Sequence, residues 1–133
     1  LFSSPFKRFF LKQLLAFPVY RKHADMLSLK QAMTVLERGK IFGIFPEGRR
    51  SMTGELDTFE KGAAFLALRC NAPIIPVYAD PDWKKHKRIF IIVGESIDAN
   101  VVAEAHAGRG VDAVTEAIRD RMQALKNEME LEL

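Results

Sequence analysis

The richest chemistry in the sequence lies in Phe45-Pro46-Glu47-Gly48-Arg49-Arg50-Ser51. It follows the apolar run Ile41-Phe42-Gly43-Ile44-Phe45, so it stands where a buried strand would hand over to a loop, the usual place for a ligand in an open α/β sheet. Its residue types suit a phosphate. Gly48 lets the backbone approach an anion closely, Arg50 or Arg49 can donate paired hydrogen bonds to phosphate oxygens, and Glu47 can orient an arginine or a substrate hydroxyl. The same residues also suit a turn that carries solvated charges. A second basic run, Lys84-Lys85-His86-Lys87-Arg88 beside Trp83, reads either as a contact for anionic headgroups or donor phosphates, or as a solvated turn between strands. The basic residues do not alternate with exposed aromatics, so nucleic acid is not an expected partner.

The elements that must position this loop are legible in outline. Ser4 suits a helix cap with Pro5 at the first helical position, and Phe6, Phe9, Phe10, Leu14 and Leu15 then fall near one face, serving either a core or a membrane interface. Pro18 ends that helix. Asp25 can cap a second helix with Met26, Leu29, Met33 and Leu36 on its buried face, and Gly39 supplies a left-handed stop. The run 41–45 predicts a strand buried on both faces, and the polar residues 46–60 a long loop. Residues 62–68 read as a short helix stopped near Asn71, followed by strands at 74–78 and 89–93. From Val111 the spacing of Val114, Ile118, Met122, Leu125 and Met129 predicts a closing amphipathic helix. Strands alternating with helices imply an α/β fold, with a mostly parallel central sheet flanked by helices, in one domain over residues 1–133.

Composition sets the bounds. The 133 residues are 48% hydrophobic and 28% charged with a net charge of +3, enough for one core and a mild bias toward anionic partners. The single cysteine, Cys70, excludes an internal disulfide, and with three histidines and no Cys-x-x-Cys pair no metal site is expected. Charges interrupt every apolar stretch before the roughly 20 residues that span a bilayer. The chain begins at Leu1 rather than Met, and Leu1-Phe2-Ser3-Ser4-Pro5 reads as the approach to a helix, so a missing N-terminal part is expected.

The longer pattern narrows the choice. Phe-Pro-Glu-Gly followed by Arg50-Ser51, then Phe59-Glu60-Lys61-Gly62-Ala63, then Ala72-Pro73-Ile74-Ile75-Pro76-Val77, closely resembles the 1-acylglycerol-3-phosphate acyltransferase family. Upstream, Phe17-Pro18-Val19-Tyr20-Arg21 resembles that family's second block. The resemblance implies a glycerolipid-acyltransferase-like fold and the transfer of a fatty acyl group from a thioester donor, acyl-CoA or acyl-carrier protein, to the hydroxyl of lysophosphatidic acid. It implies phosphate binding by Arg21, Glu47, Gly48 and Arg50, with Arg49, Ser51 and Lys61 in support, and Pro76 in a mainly structural role. No bound cofactor is implied. The expected setting is the cytoplasmic face of a membrane, held peripherally or through the missing N-terminus.

Two departures stand out. Position 49 is Arg where the family commonly has Thr, and the family's first block, a His followed by four residues and an Asp, is absent. The residues five positions beyond His23, His86 and His106 are Ser28, Ile91 and Val111. In the family that pair supplies the general base and the carboxylate that orients it, so the resemblance implies that no catalytic residue is present in this chain. The alternative is a noncatalytic anion- or lipid-binding module that keeps the phosphate loop.

Overall fold

A computed structural model describes residues 4–13, 16, 26–48, 55–82, 85 and 87–133. They fall into two compact units, Leu1–Phe42 and Gly43–Leu133.

The first unit holds two helices. Helix α1 spans Pro5–Gln13, with the carbonyl of Ser4 accepting the Arg8 N–H at 2.9 Å, so proline takes a first-turn position where its missing N–H costs nothing. Phe6 and Phe9 are exposed beside Lys7 and Arg8. Helix α2 spans Met26–Glu37, and Gly39, at φ +69°, takes the left-handed conformation expected of its stop. Its buried face is turned from the expected one: Ser28 and Ala32 are the buried residues, Leu29, Met33 and Leu36 are half-buried, and Met26 is 71% exposed. Ser28 and Ala32 share one face at i, i+4 spacing.

The second unit carries the core. Helix α3 spans Gly62–Cys70 and ends at Asn71, whose φ of 49° supplies the left-handed cap. The chain then forms strand β1, Val77–Ala79, turns back, and pairs antiparallel with β2, Ile91–Val93, placing Val77 opposite Val93 and Ala79 opposite Ile91. Outside the strands, Ile74 and Ile97 exchange both backbone hydrogen bonds, at 3.0 and 2.8 Å. Relative to the strand register, the segment after Gly94 carries one extra residue there, a bulge. A short helix α4, Ala99–Glu104, follows, capped by Asp98, whose carboxylate accepts the N–H groups of Asn100 and Val101. Helix α5, Gly110–Glu132, packs along α3, α4 and both strands.

The stripe read from the sequence is the face α5 buries: Val114, Ile118, Leu125 and Met129 are buried and Met122 is partly so. Val114 and Ile118 meet Phe59, Ala64, Ala67, Ile97 and Ala99, whereas Leu125 and Met129 meet Tyr78. Leu56 and Met122 touch both clusters.

The expected mostly parallel central sheet is not met among the described residues, whose one sheet has two antiparallel strands. Parallel neighbours need a crossover of a dozen or more residues, usually with a helix, and only residues 80–90 lie between β1 and β2. Burial along residues 76–80 alternates, one face against α5 and one open, so this run is not buried on both faces. Residues 41–45 form no strand, and Ile41 and Phe45 are 97% and 88% exposed. Apolarity states a demand for burial, but a strand also needs a partner to take its N–H and C=O groups. Among the described residues, no helix is long and apolar enough to cross a membrane.

Candidate functional site

The candidate loop folds back on itself at Pro46-Glu47-Gly48. The Gly48 N–H donates to the Phe45 carbonyl at 3.1 Å, closing a tight turn in which Gly48 sits at φ +62°. The conformation calls for glycine, and a β-carbon at this position would also stand 3.0 Å from Glu60 Cγ, whose exposed side chain would have to shift. The far branch of the loop clasps this turn. The Glu60 N–H donates to the Pro46 carbonyl at 2.7 Å, and the half-buried Glu47 accepts the Asp57 N–H through Oε2 at 3.2 Å. The Glu47 carboxylate is therefore held by backbone, and a carboxylate so held has capacity to accept further bonds from a guanidinium or a hydroxyl.

Residues 55–61 are themselves anchored to α5. Leu56 and Phe59 enter the core, the Lys61 ammonium lies 2.6 Å from Asp112 Oδ1, and Lys126 Nζ donates to Glu55 Oε2 at 2.5 Å. The hydrogen bond and charge of Lys61 hold the Asp112 carboxyl below its ordinary range. Its hydrogen bond to Glu55 keeps Lys126 protonated beyond the ordinary lysine range against the opposing effect of burial. Burial raises the Tyr78 phenol nearby.

The structure brings Glu47 and Gly48 together in one turn. Lys61, expected in a supporting role, pairs with Asp112 rather than with that turn among the described residues. Arg21, Arg49, Arg50 and Ser51 lie outside the described residues. Sequence reasoning missed Asp57 and Glu60, which hold the turn from the far branch, and Lys126, which anchors that branch. A signal for Lys126 was present: it falls four residues after Met122 and three before Met129, on the buried side of the helix. Among the described residues no group of three or more His, Cys, Asp or Glu side chains is placed to hold a metal ion.

Residues 1–80 match the family model described as Acyltransferase. The chain belongs to the acyltransferase family. It is 33% identical over 136 aligned positions to the 1-acyl-sn-glycerol-3-phosphate acyltransferase of Bacillus subtilis, an alignment covering 98% of the chain and 67% of that relative. Similarity also extends to a 1-acyl-sn-glycerol-3-phosphate acyltransferase of Limnanthes douglasii, 42% identical over 41% of the chain and 20% of the relative. The human 1-acyl-sn-glycerol-3-phosphate acyltransferase alpha is 32% identical over 51% of the chain and 26% of its own length. The chain thus spans about two thirds of the bacterial acyltransferase and smaller shares of the other two. No solved structure matches it significantly. The family match ends at residue 80, so β2, α4 and all of α5, with Asp112 and Lys126, lie beyond it.

Proposed function

We propose that the chain forms the acceptor-binding part of a 1-acyl-sn-glycerol-3-phosphate acyltransferase of phospholipid biosynthesis. The reaction moves a fatty acyl group from acyl-CoA or acyl-carrier protein to the free hydroxyl of lysophosphatidic acid, giving phosphatidic acid. The hydroxyl oxygen attacks the thioester carbonyl, the C–S bond breaks, and the proton leaves through a general base to the departing thiolate. No His-x4-Asp pair occurs in these 133 positions, so the base is assigned to no residue here.

The observation that carries the reading is the alignment with the B. subtilis enzyme, which runs over 98% of the chain and so takes in both Arg21 and the Glu47 turn. In this reading Arg21 and Arg50 grip the phosphate, with Arg49 and Ser51 in support, while Lys61 is held by Asp112. Gly48 allows close backbone approach, and Glu47 orients an arginine or a glycerol hydroxyl. The fold of the whole enzyme includes a mostly parallel sheet. It works at the cytoplasmic face of a membrane. Exposed Phe6 and Phe9 beside Lys7 and Arg8 support an anionic lipid surface as partner.

The full-length protein, given labelled acyl thioester and lysophosphatidic acid, is expected to form labelled phosphatidic acid. Arg21→Ala should raise KM for lysophosphatidic acid far more than KM for the thioester, and equal rises would remove Arg21 from the acceptor site. The lack of the His-Asp pair favours one other reading, a noncatalytic anion-binding module, which predicts that full-length protein binds glycerol phosphate without turnover.

A further inference from the structure

Lys126 is a charged residue on the inner side of a long helix, with a side chain only 8% exposed. Its ammonium pairs with Glu55 at 2.5 Å and lies 3.7 Å from Glu130 one turn further on. Its partners are largely exposed, Glu55 at 74% and Glu130 at 64%, so the pair lies at the rim of the core, where solvent screening leaves it little net stability. What an ion pair adds is a fixed direction and register, and here the register belongs to the segment that clasps the Glu47 turn.

Glu55 and Lys61 bracket that segment, and both are tied to α5, one to Lys126 and the other to Asp112. The two anchor points stand fourteen positions apart on the helix, about 21 Å at 1.5 Å per residue. Six residue steps from Glu55 to Lys61 reach about 20–22 Å when extended, and the anchoring side chains add further reach, so the segment can span both anchors. Glu55 meets the later helix position and Lys61 the earlier one, so residues 55–61 form a strap along α5 in the opposite chain direction. Leu56 and Phe59 fix its depth: Leu56 reaches the cluster with Leu125, and Phe59 the cluster with Val114. The amides that the strap presents to the turn, from Asp57 to Glu47 and from Glu60 to Pro46, lie between its two anchors.

We infer that Lys126 is a positioning residue for the acceptor site: acting through Glu55, it holds the strap in register along α5 and so fixes the carboxylate of Glu47. This rests on the acyltransferase reading, and it assigns a role in that site to a helix beyond the family match. Lys126 touches no substrate, so its removal should act on acceptor binding and leave donor binding alone.

The test uses full-length protein carrying Lys126→Met, Lys126→Arg, Glu55→Gln and the Lys126→Met/Glu55→Gln pair. Lys126→Met should raise KM for lysophosphatidic acid about tenfold, short of the roughly hundredfold that a 1 Å misplacement can cost. The thioester KM should stay within about twofold, Lys126→Arg should restore most of the loss, and the double variant should lose less than the two single losses combined, since both changes cut the Glu55–Lys126 link. Hydrogen exchange at the Asp57 and Glu60 amides should quicken in Lys126→Met and Glu55→Gln. Should Lys126→Met fail to fold, Glu55→Gln decides, because the Glu55 side chain is largely exposed. Equal rises in both KM values, or unchanged exchange at those two amides, would overturn the inference. Wild-type protein that makes no phosphatidic acid, while exchange still responds, would remove the acyltransferase reading and leave the strap as a purely mechanical link.

Discussion

Gly48 concentrates two demands at one residue. Its φ of +62° costs an ordinary side chain roughly 1–2 kcal/mol, and a β-carbon would press on Glu60 Cγ at 3.0 Å. Gly48→Ala is therefore expected to lower the melting temperature and to raise the acceptor KM, chiefly through the left-handed backbone, since the exposed Glu60 side chain can shift aside. An unchanged melting temperature would mean that the turn relaxes freely. Lys61 makes a separate prediction through its partner. Folding favours the ionised Asp112, so the contact contributes above the ordinary carboxylate value of 3.8 and is lost as pH falls through the lowered folded value. Lys61→Gln should bring the Asp112 titration, followed by NMR, back up to the ordinary range. Both groups are substantially exposed, so stability at neutral pH should change little.

Among the elements, helices were legible where their periodicity was long. The stripe from Val114 to Met129 repeats over more than four turns, and the structure buries it, so Ile118→Ala should cost about 2–5 kcal/mol in a denaturant titration. Helix α3 was legible through its small residues and its stop at Asn71. Helix α4 was missed because six residues give no periodicity; its readable sign was Asp98, and Asp98→Ala should cost about 1 kcal/mol if the cap holds the helix. The strands were read from apolarity, which does not specify direction or partner. At 41–45 the apolar run was legible and a ladder does not follow among the described residues. The site divides in the same way. Glu47 and Gly48 lie within one contiguous motif and could be read directly, whereas the Glu55–Lys126 pair joins residues 71 positions apart, a separation that no local pattern encodes.

At the scale of the molecule, binding and chemistry in the proposed reading draw on different parts of the sequence. The turn at Glu47, its strap and the helix behind it form one anchored assembly in the unit Gly43–Leu133, while Arg21 belongs to the stretch Leu1–Phe42. None of the three histidines has an aspartate five positions on. A positioned general base contributes about 10²–10⁴ in rate, and neither the base nor its orienting carboxylate can be assigned to these residues. The 133-residue chain, purified alone, is therefore expected to transfer no acyl group to lysophosphatidic acid while retaining weak affinity for glycerol phosphate. Calorimetry should detect the binding, and a labelled thioester should yield no phosphatidic acid. The two measurements separate the contributions: loss of binding as well as turnover would place the acceptor site outside these residues. Robust turnover would mean that another group supplies the base. His23, two positions from Arg21, is the first to test, because a His23→Ala variant that then lost turnover but kept binding would assign the proton transfer to it.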